Sequence, residues 1–564
     1  LTAPRDFEYF IVSSLFAPLF LANIYFNAKQ GYFDIAADEK PLLHTWTLSV
    51  EEQFYLVTPI LLFVLFRFGG RRLGRLALFV SLALLAASLA GSVGYSSLNG
   101  KNEAFYLAQW RAWEFIAGGL AGALAAGIPR KMPRLFGEAM AAAGLVLVLA
   151  AIGTIDARLS YPSWRAALPV AGAMLIIVAG AVRPSNLVSR LLSLRPIAGI
   201  GLISYSWYLW HWPVLSFLRI ANFGERWFAL DLAGGALSFV LAIATYRYLE
   251  APVRAWRRRV DLPAWSKRIG FAGAGACAAL VAVAGAAGEI EYSRVNALLE
   301  GRIAGREDLS CRLVSGAVPA ECLSRIAGLM VGDSHADALF GTVARRYGDR
   351  ALPIALAAEG GCSPADFMSR RSNRTSGAGC RRFGYLFGIL TSSSATRRGF
   401  VIIYARWNNF RDSAVVQGPS PGPNLREGLR ALLARLQSEG RRVLLIGPTP
   451  EFRFGGIACV LLAERYGAGR QKCDVPRAAV DQRREARVSV LREVAAEFPD
   501  TRFIDPIDLF CDAEVCRPYG GERIWFSDDN HLSPAGAGRV YDRFVADFTW
   551  VAGARAGEQV PAAR

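Results

Sequence analysis

The sequence predicts a multi-pass α-helical membrane domain followed by an α/β domain built on a parallel sheet. Three observations carry that expectation. Hydrophobic residues fill 53% of the 564 positions, more apolar surface than a water-soluble core has room to bury. Up to about residue 288 they form long runs separated by short basic loops, whereas beyond that point runs are short and charge is spread throughout. Of nine cysteines, only Cys277 falls in the first part.

Apolar segments near 8–27, 52–68, 74–95, 110–128, 135–155, 165–182, 198–218, 228–249 and 269–288 predict about nine membrane helices. Every second connection is basic: Arg67, Arg71, Arg72 and Arg75; Arg130, Lys131 and Arg134; Arg183, Arg190 and Arg195; then the stretch from Arg254 to Arg268. Positive loops stay in the cytoplasm, so the last helix is expected to cross outward and deliver the rest of the chain to the far side. The same placement accounts for the net charge of +17, which no nucleic-acid-binding signature accompanies, so no nucleic acid is expected as a partner. The predicted organisation is a membrane domain over 1–290, an outer extension over 291–325, an α/β domain over 326–552 and a disordered Ala-, Gly- and Arg-rich tail over 553–564.

The eight remaining cysteines suit an oxidising compartment such as the periplasm. Nearest neighbours pair Cys311 with Cys322, Cys362 with Cys380, Cys459 with Cys473 and Cys511 with Cys516, among the roughly one hundred connectivities that eight cysteines allow. The CxxC spacing of zinc sites is absent, so neither a metal nor a tightly held cofactor is expected.

From about 328, short apolar runs end in polar turns: Leu329-Met330-Val331 before Gly332-Asp333-Ser334-His335, Val401-Ile402-Ile403-Tyr404 before Ala405-Arg406-Trp407-Asn408, Val443-Leu444-Leu445-Ile446 before Gly447-Pro448, and Phe503-Ile504 before Asp505-Pro506. Unbroken apolar strands between helices mark a parallel sheet covered on both faces, whose active residues sit where strands end. Ser334 directly follows the first strand. Near the end, Asp528-Asp529-Asn530-His531 sets a carboxylate three residues before an imidazole. A serine hydroxyl is a weak nucleophile until an imidazole takes its proton, and a carboxylate fixes that imidazole's tautomer. The expected roles are Ser334 as nucleophile, His531 as general base then acid, and Asp528 as its orienter; His335 either lines the site or caps the helix.

Gly-Asp-Ser near the start and Asp-x-x-His near the end resemble the SGNH hydrolase and acyltransferase superfamily, which implies an α/β/α, flavodoxin-like domain. The resemblance further implies oxyanion donors from the nucleophile's backbone NH, a glycine after the second strand (Gly361, or Gly360 beside it) and an asparagine after the third. The asparagine block here reads Ala405-Arg406-Trp407-Asn408-Asn409 instead of Gly-x-Asn-Asp, with Asn408 the candidate.

The chain has only four histidines, and the two in the first part stand in Leu42-Leu43-His44-Thr45-Trp46-Thr47-Leu48-Ser49-Val50-Glu51-Glu52-Gln53-Phe54-Tyr55 and Ser204-Tyr205-Ser206-Trp207-Tyr208-Leu209-Trp210-His211-Trp212-Pro213. These motifs, with Trp110-Arg111-Ala112-Trp113-Glu114-Phe115, resemble the acyltransferase family 3 membrane proteins, some of which carry a C-terminal SGNH domain and O-acetylate bacterial envelope glycans. Ionisable groups in lipid cost about 2.5 to 3.5 kcal/mol each and so face a cavity or one another. Arg111 and Glu114 share a helix face, as a structural ion pair or as site residues. His44, Glu51 and Glu52 are placed at the outer start of the next helix, and His211 serves either the aromatic belt or chemistry. The resemblance also implies an Arg and, a few turns on, a His on the first helix. That pair is missing and Leu1 is not an initiator methionine, so an N-terminal stretch holding the first helices is expected to be absent.

Together these resemblances imply transfer of an acyl group, most simply acetyl from cytoplasmic acetyl-CoA, across the bacterial inner membrane to a hydroxyl of lipopolysaccharide O-antigen or a similar glycan. The implied partners are inner-membrane lipid, the acyl-CoA donor and the glycan acceptor, with the C-terminal domain periplasmic. Rival readings are a periplasmic carbohydrate esterase, a transporter with an accessory outer domain, and a glycan-binding scaffold.

Overall fold

A computed structural model of the chain describes residues 4–29, 37–69, 73–98, 102–127, 133–155, 161–257, 275, 279, 282, 285–286, 326–348, 352, 354–358, 399–407 and 423–553. These fall into two compact units, one drawn chiefly from the residues up to 289 and the other chiefly from those after it.

The first unit is helical. Among the described residues, five helices are long and apolar enough to cross a membrane: Thr45–Phe68, Leu73–Ser96, Arg134–Thr154, Trp164–Val182 and Phe228–Trp256. They leave large side chains uncovered, with Leu56 69%, Phe63 68%, Phe66 72% and Phe79 70% exposed, a surface that only lipid can cover without penalty. Helix against helix, small residues do the packing. Between α7 (Arg134–Thr154) and α8 (Ala167–Val182), a Cβ on Gly144 would stand 2.8 Å from the Gly172 carbonyl oxygen, so the backbones touch where only glycine fits.

Two expectations need correction. The apolar run at 8–27 is not one helix but two, α1 (Pro4–Phe16) and α2 (Ala22–Ala28). Phe20 at φ 56° breaks them, and α3 (Thr45–Gly69) takes up the freed backbone groups: the Gln53 amide donates to the Phe20 carbonyl at 2.8 Å, and Ser49 accepts from the Ala22 NH at 3.1 Å. Polar side chains that satisfy a broken helix are what a hydrocarbon environment demands, and a hydropathy window averages over such a break. Second, α3 begins at Thr45 and not near 52, so Glu51 and Glu52 lie inside it and not at its outer start.

The second unit is built on a five-stranded parallel sheet of β1 (Gly328–Gly332), β2 (Ile354–Ala358), β3 (Phe400–Tyr404), β4 (Val443–Ile446) and β5 (Thr501–Ile504), in the order β2-β1-β3-β4-β5. Alternation along the strands splits the core. Leu329, Val331, Val401, Ile403, Val443 and Leu445 pack under α14 (Pro423–Ser438) and α16 (Arg477–Ala496). Met330, Ile402 and Leu444 face α13 (Ser334–Gly348), α17 (Pro534–Arg543) and α18 (Val545–Val551). With both faces covered the strands read as unbroken apolar runs. The order reverses at β1 and β3, and a crevice for ligands opens at the carboxyl ends of strands beside such a switch point.

Candidate active site

Chain geometry brings the site residues to that switch point. At Gly332 a Cβ would stand 1.8 Å from the Tyr404 carbonyl oxygen, so glycine lets the ends of β1 and β3 close together. The next residue, Asp333, caps α13: its buried carboxylate accepts the His335 NH at 2.9 Å and, from the end of β3, the Arg406 NH at 2.8 Å. Ser334 therefore sits in the first turn of α13 with its own NH at the positive helix end, where negative charge is stabilised. Burial pushes the Asp333 carboxyl up to about 6 against the lowering effect of those two amides.

His531 arrives on a tight loop before α17. Asp528 Oδ1 accepts the NH of Asn530 at 3.0 Å and of His531 at 2.7 Å, closing an Asx turn, while Ser527 NH donates to the His531 carbonyl at 2.9 Å. From the neighbouring segment, Phe452 and Gly456 donate their NH groups to the carbonyls of Asp529 and Asp528 at 2.7 and 2.8 Å. Gly456 opens α15 (Gly456–Arg465), and Cys459 in its first turn is joined to Cys473 by a disulfide.

Inside this frame His531 Nδ1 lies 2.7 Å from Asp528 Oδ2, and His531 Nε2 lies 2.7 Å from Ser334 Oγ. A nitrogen facing a carboxylate carries the proton, so Nδ1 donates to Asp528 and Nε2 accepts from the serine hydroxyl. Burial would raise the Asp528 carboxyl, but the hydrogen bond and charge of His531 and the two amides outweigh it and hold it below its usual value. Ser334 and His531 are each at most 4% exposed. A nucleophile, a base and an orienter in contact can open an ester by acyl transfer to the serine.

His335 takes no part in capping through its ring. It is buried against His531, ring centroids 4.6 Å apart, and its Nε2 pairs with Asn530 Oδ1 at 3.1 Å. Burial first, then the charges of His531 and Arg406, depress its protonation well below the ordinary histidine range. Sequence reasoning passed over Arg406 and Glu451, which form a two-pronged ion pair at 2.9 and 3.1 Å beside the site; an Arg directly after β3 was the available signal. Gly361 and Asn408, the proposed oxyanion donors, lie outside the described residues, as do Gly360, Cys311, Cys322, Cys362 and Cys380. The structure pairs Cys511 with Cys516 as well as Cys459 with Cys473. No group of three or more metal-ligating side chains occurs among the described residues.

The candidates of the helical unit form two groups. His44 and His211 meet with ring centroids 5.8 Å apart, although they are far apart in sequence. Tyr208 holds them there: its hydroxyl donates to the His44 carbonyl at 2.5 Å, and its carbonyl lies 2.7 Å from His211 Nδ1. A proton on that Nδ1 leaves Nε2 as the basic nitrogen. His44 is buried, and its ring also packs against that of Tyr208, centroids 5.2 Å apart. Arg111 and Glu114 form an ion pair at 2.6 and 2.8 Å, with the guanidinium 5.4 Å above the Trp46 ring. Glu51 accepts from the Tyr55 hydroxyl at 2.5 Å, and Glu52 is exposed. Glu250, unremarked in the sequence, accepts from Ser206 at 2.7 Å within a π-helical turn, Tyr246–Glu250; an acid at the end of an apolar span was its signal.

Residues 8–247 match the family described as an acyltransferase domain, and residues 302–546 the family described as an SGNH domain fused to AT3 domains. The "Putative membrane-bound transacylase BcsY" of Komagataeibacter xylinus is 31% identical over 273 residues, 48% of this chain and 66% of that protein. The "Putative peptidoglycan O-acetyltransferase YrhL" of Bacillus subtilis is 29% identical over 43% of this chain and 39% of its own length. The O-acetyltransferase OatA of Staphylococcus aureus is 28% identical over 41% of this chain and 39% of its own. The matched part of the chain thus spans from 39% to 66% of the length of these relatives.

Proposed function

As a multi-pass membrane protein that joins an acyltransferase domain to an SGNH domain, the chain belongs to the family of such fusions, and on that premise we propose that it O-acetylates a cell-surface glycan. The observation that carries the reading is the Ser334–His531–Asp528 contact chain at 2.7 Å and 2.7 Å. Acetyl-CoA in the cytoplasm is the donor, and the helical unit moves the acetyl group across the inner membrane. The paired imidazoles of His44 and His211 are its candidate acceptors there, with Arg111 and Glu114 beside Trp46. The SGNH domain works on the periplasmic side, where disulfides form.

In the first half-reaction His531 Nε2 takes the Ser334 proton as Oγ attacks the acyl carbonyl. The tetrahedral oxyanion is met by the Ser334 NH at the start of α13, joined in this reading by Gly361 and Asn408. Collapse expels the carrier, which leaves with the proton from His531, and the acetyl group remains as a serine ester. In the second half-reaction His531 takes the proton of a sugar hydroxyl, whose oxygen attacks the ester; Ser334 leaves and recovers a proton from the imidazolium. Asp528 stabilises the imidazolium in both. The name of one relative, which includes peptidoglycan, supports a glycan acceptor, with lipopolysaccharide O-antigen the alternative acceptor of the same class.

The test is turnover of a chromogenic acetyl ester by the full chain in detergent, with and without glycan. Ser334→Ala should lower it by about 10³-fold or more. Acetylated sugar in place of part of the free acetate supports transfer. Free acetate alone, with acceptor saturating, makes the protein an esterase.

A further inference from the structure

The α/β domain contains a second recess that holds none of the triad residues. It is a cleft of about 900 Å³ between the later turns of α13, the outer side of α17 and the short hairpin around Tyr519–Ile524. Among the described residues, Arg345, Arg346, Arg523, Arg539 and Arg543 line it, against one carboxylate, that of Asp542. Five like charges in one concavity repel one another and raise a positive potential that a bound anion relieves.

The cleft is built and not merely basic. Arg539 is fixed by donating Nε to the Leu509 carbonyl at 2.9 Å and by lying 4.6 Å above the Trp525 ring. Trp525 can lie there because Gly520 leaves room: a Cβ on Gly520 would come within 1.9 Å of the indole. Arg346 is fixed by Asp542 at 3.1 Å and the Tyr541 ring at 5.7 Å. Each guanidinium carries five donors, of which these hydrogen bonds use one. The positive residues are all arginine, whose planar fork matches carboxylate and phosphate oxygens in pairs.

Position assigns the occupant. Both helical walls start at the triad, α13 with Ser334 itself and α17 just after His531, and both pack on the same face of the sheet. At 1.5 Å per residue, the cleft residue Thr342 lies about 12 Å down α13 from Ser334. A flat bilayer cannot follow a concave wall, whereas a saccharide chain bearing carboxylates or phosphates can lie in it and continue towards the serine. We infer that this cleft binds the anionic groups of the acceptor, so that the glycan acylated by this protein is an acidic one. The inference rests on the glycan-transfer reading for the word acceptor.

The full chain in discs of zwitterionic lipid would be titrated with fluorescent oligogalacturonate and with a neutral chitooligosaccharide of equal length. Saturable binding of the acidic oligomer alone, weakening as salt is added, is the expected result. Arg345→Gln/Arg523→Gln/Arg543→Gln should weaken it about tenfold or more and leave chromogenic ester turnover unchanged. Asp542→Asn, which removes the one negative charge of the cleft, should tighten it. Equal binding of the neutral oligomer, no binding of the acidic one, or full affinity in the triple variant overturns the inference. So does loss, in that variant, of attachment to phosphatidylglycerol vesicles alone, which would make the cleft a membrane contact. Failure of ester turnover beside intact arginine-dependent binding would sink the acyl-transfer reading and leave the anion site standing.

Discussion

A hydroxyl surrenders its proton only to a base already aimed at it, and His531 meets that requirement through two contacts at 2.7 Å. His531→Gln removes the base and Asp528→Asn its orienter. Each should lower kcat/KM on the chromogenic ester by about 10³- to 10⁴-fold, with the fall in kcat and KM little changed. Asp333 gives a different signal. Its carboxyl sits at about 6 in the fold against 3.8 in the open chain, so between these values the native state binds the proton more tightly. Stability from this group is therefore present below about 4 and lost as pH rises through about 6. Asp333→Asn should flatten the decline of Tm between pH 4.5 and 7, and an unchanged decline would count against the raised value. Asp528 and His531 were legible in the sequence because they bind one another within a single turn. The tie from Asp333 to the Arg406 amide spans 73 residues and left no local mark. Neither did the meeting of His44 with His211.

At the scale of elements, α15 governs the catalytic loop. Its opening NH, from Gly456, holds the Asp528 carbonyl, and the Cys459–Cys473 disulfide, closing a separation of 14 residues, anchors its first turn. Replacing both cysteines with serine should cost about 3 kcal/mol in denaturant unfolding and reduce turnover in step with the loosened loop. Gly332→Ala should act at the nucleophile's end of the site, because the methyl group would have to displace the end of β3. A loss of about 1–3 kcal/mol, with turnover falling as Asp333 and Arg406 part, is expected. Strands were legible where apolar runs met polar turns, as at Leu329-Met330-Val331. The break between α1 and α2 was not, since Gln53 and Ser49 make it tolerable from another helix.

For the whole molecule, the change in composition near residue 288 announced two parts, and the described residues fall into two compact units. Side lay beyond reach of that pattern except through the basic loops. If the proposed orientation holds, a membrane-impermeant serine-directed phosphonate should label Ser334 in cells whose outer membrane alone has been opened. Labelling that needs full lysis would place the domain inside. The distance along the chain between Ser334 and His531 is 197 residues, and the pieces that bear them touch only in the finished sheet. A ribosome therefore releases the nucleophile long before its base. Until the last helices of the domain are made and folded, the serine stays chemically idle, so this part of the molecule can neither take up nor pass on an acyl group while its own synthesis is incomplete.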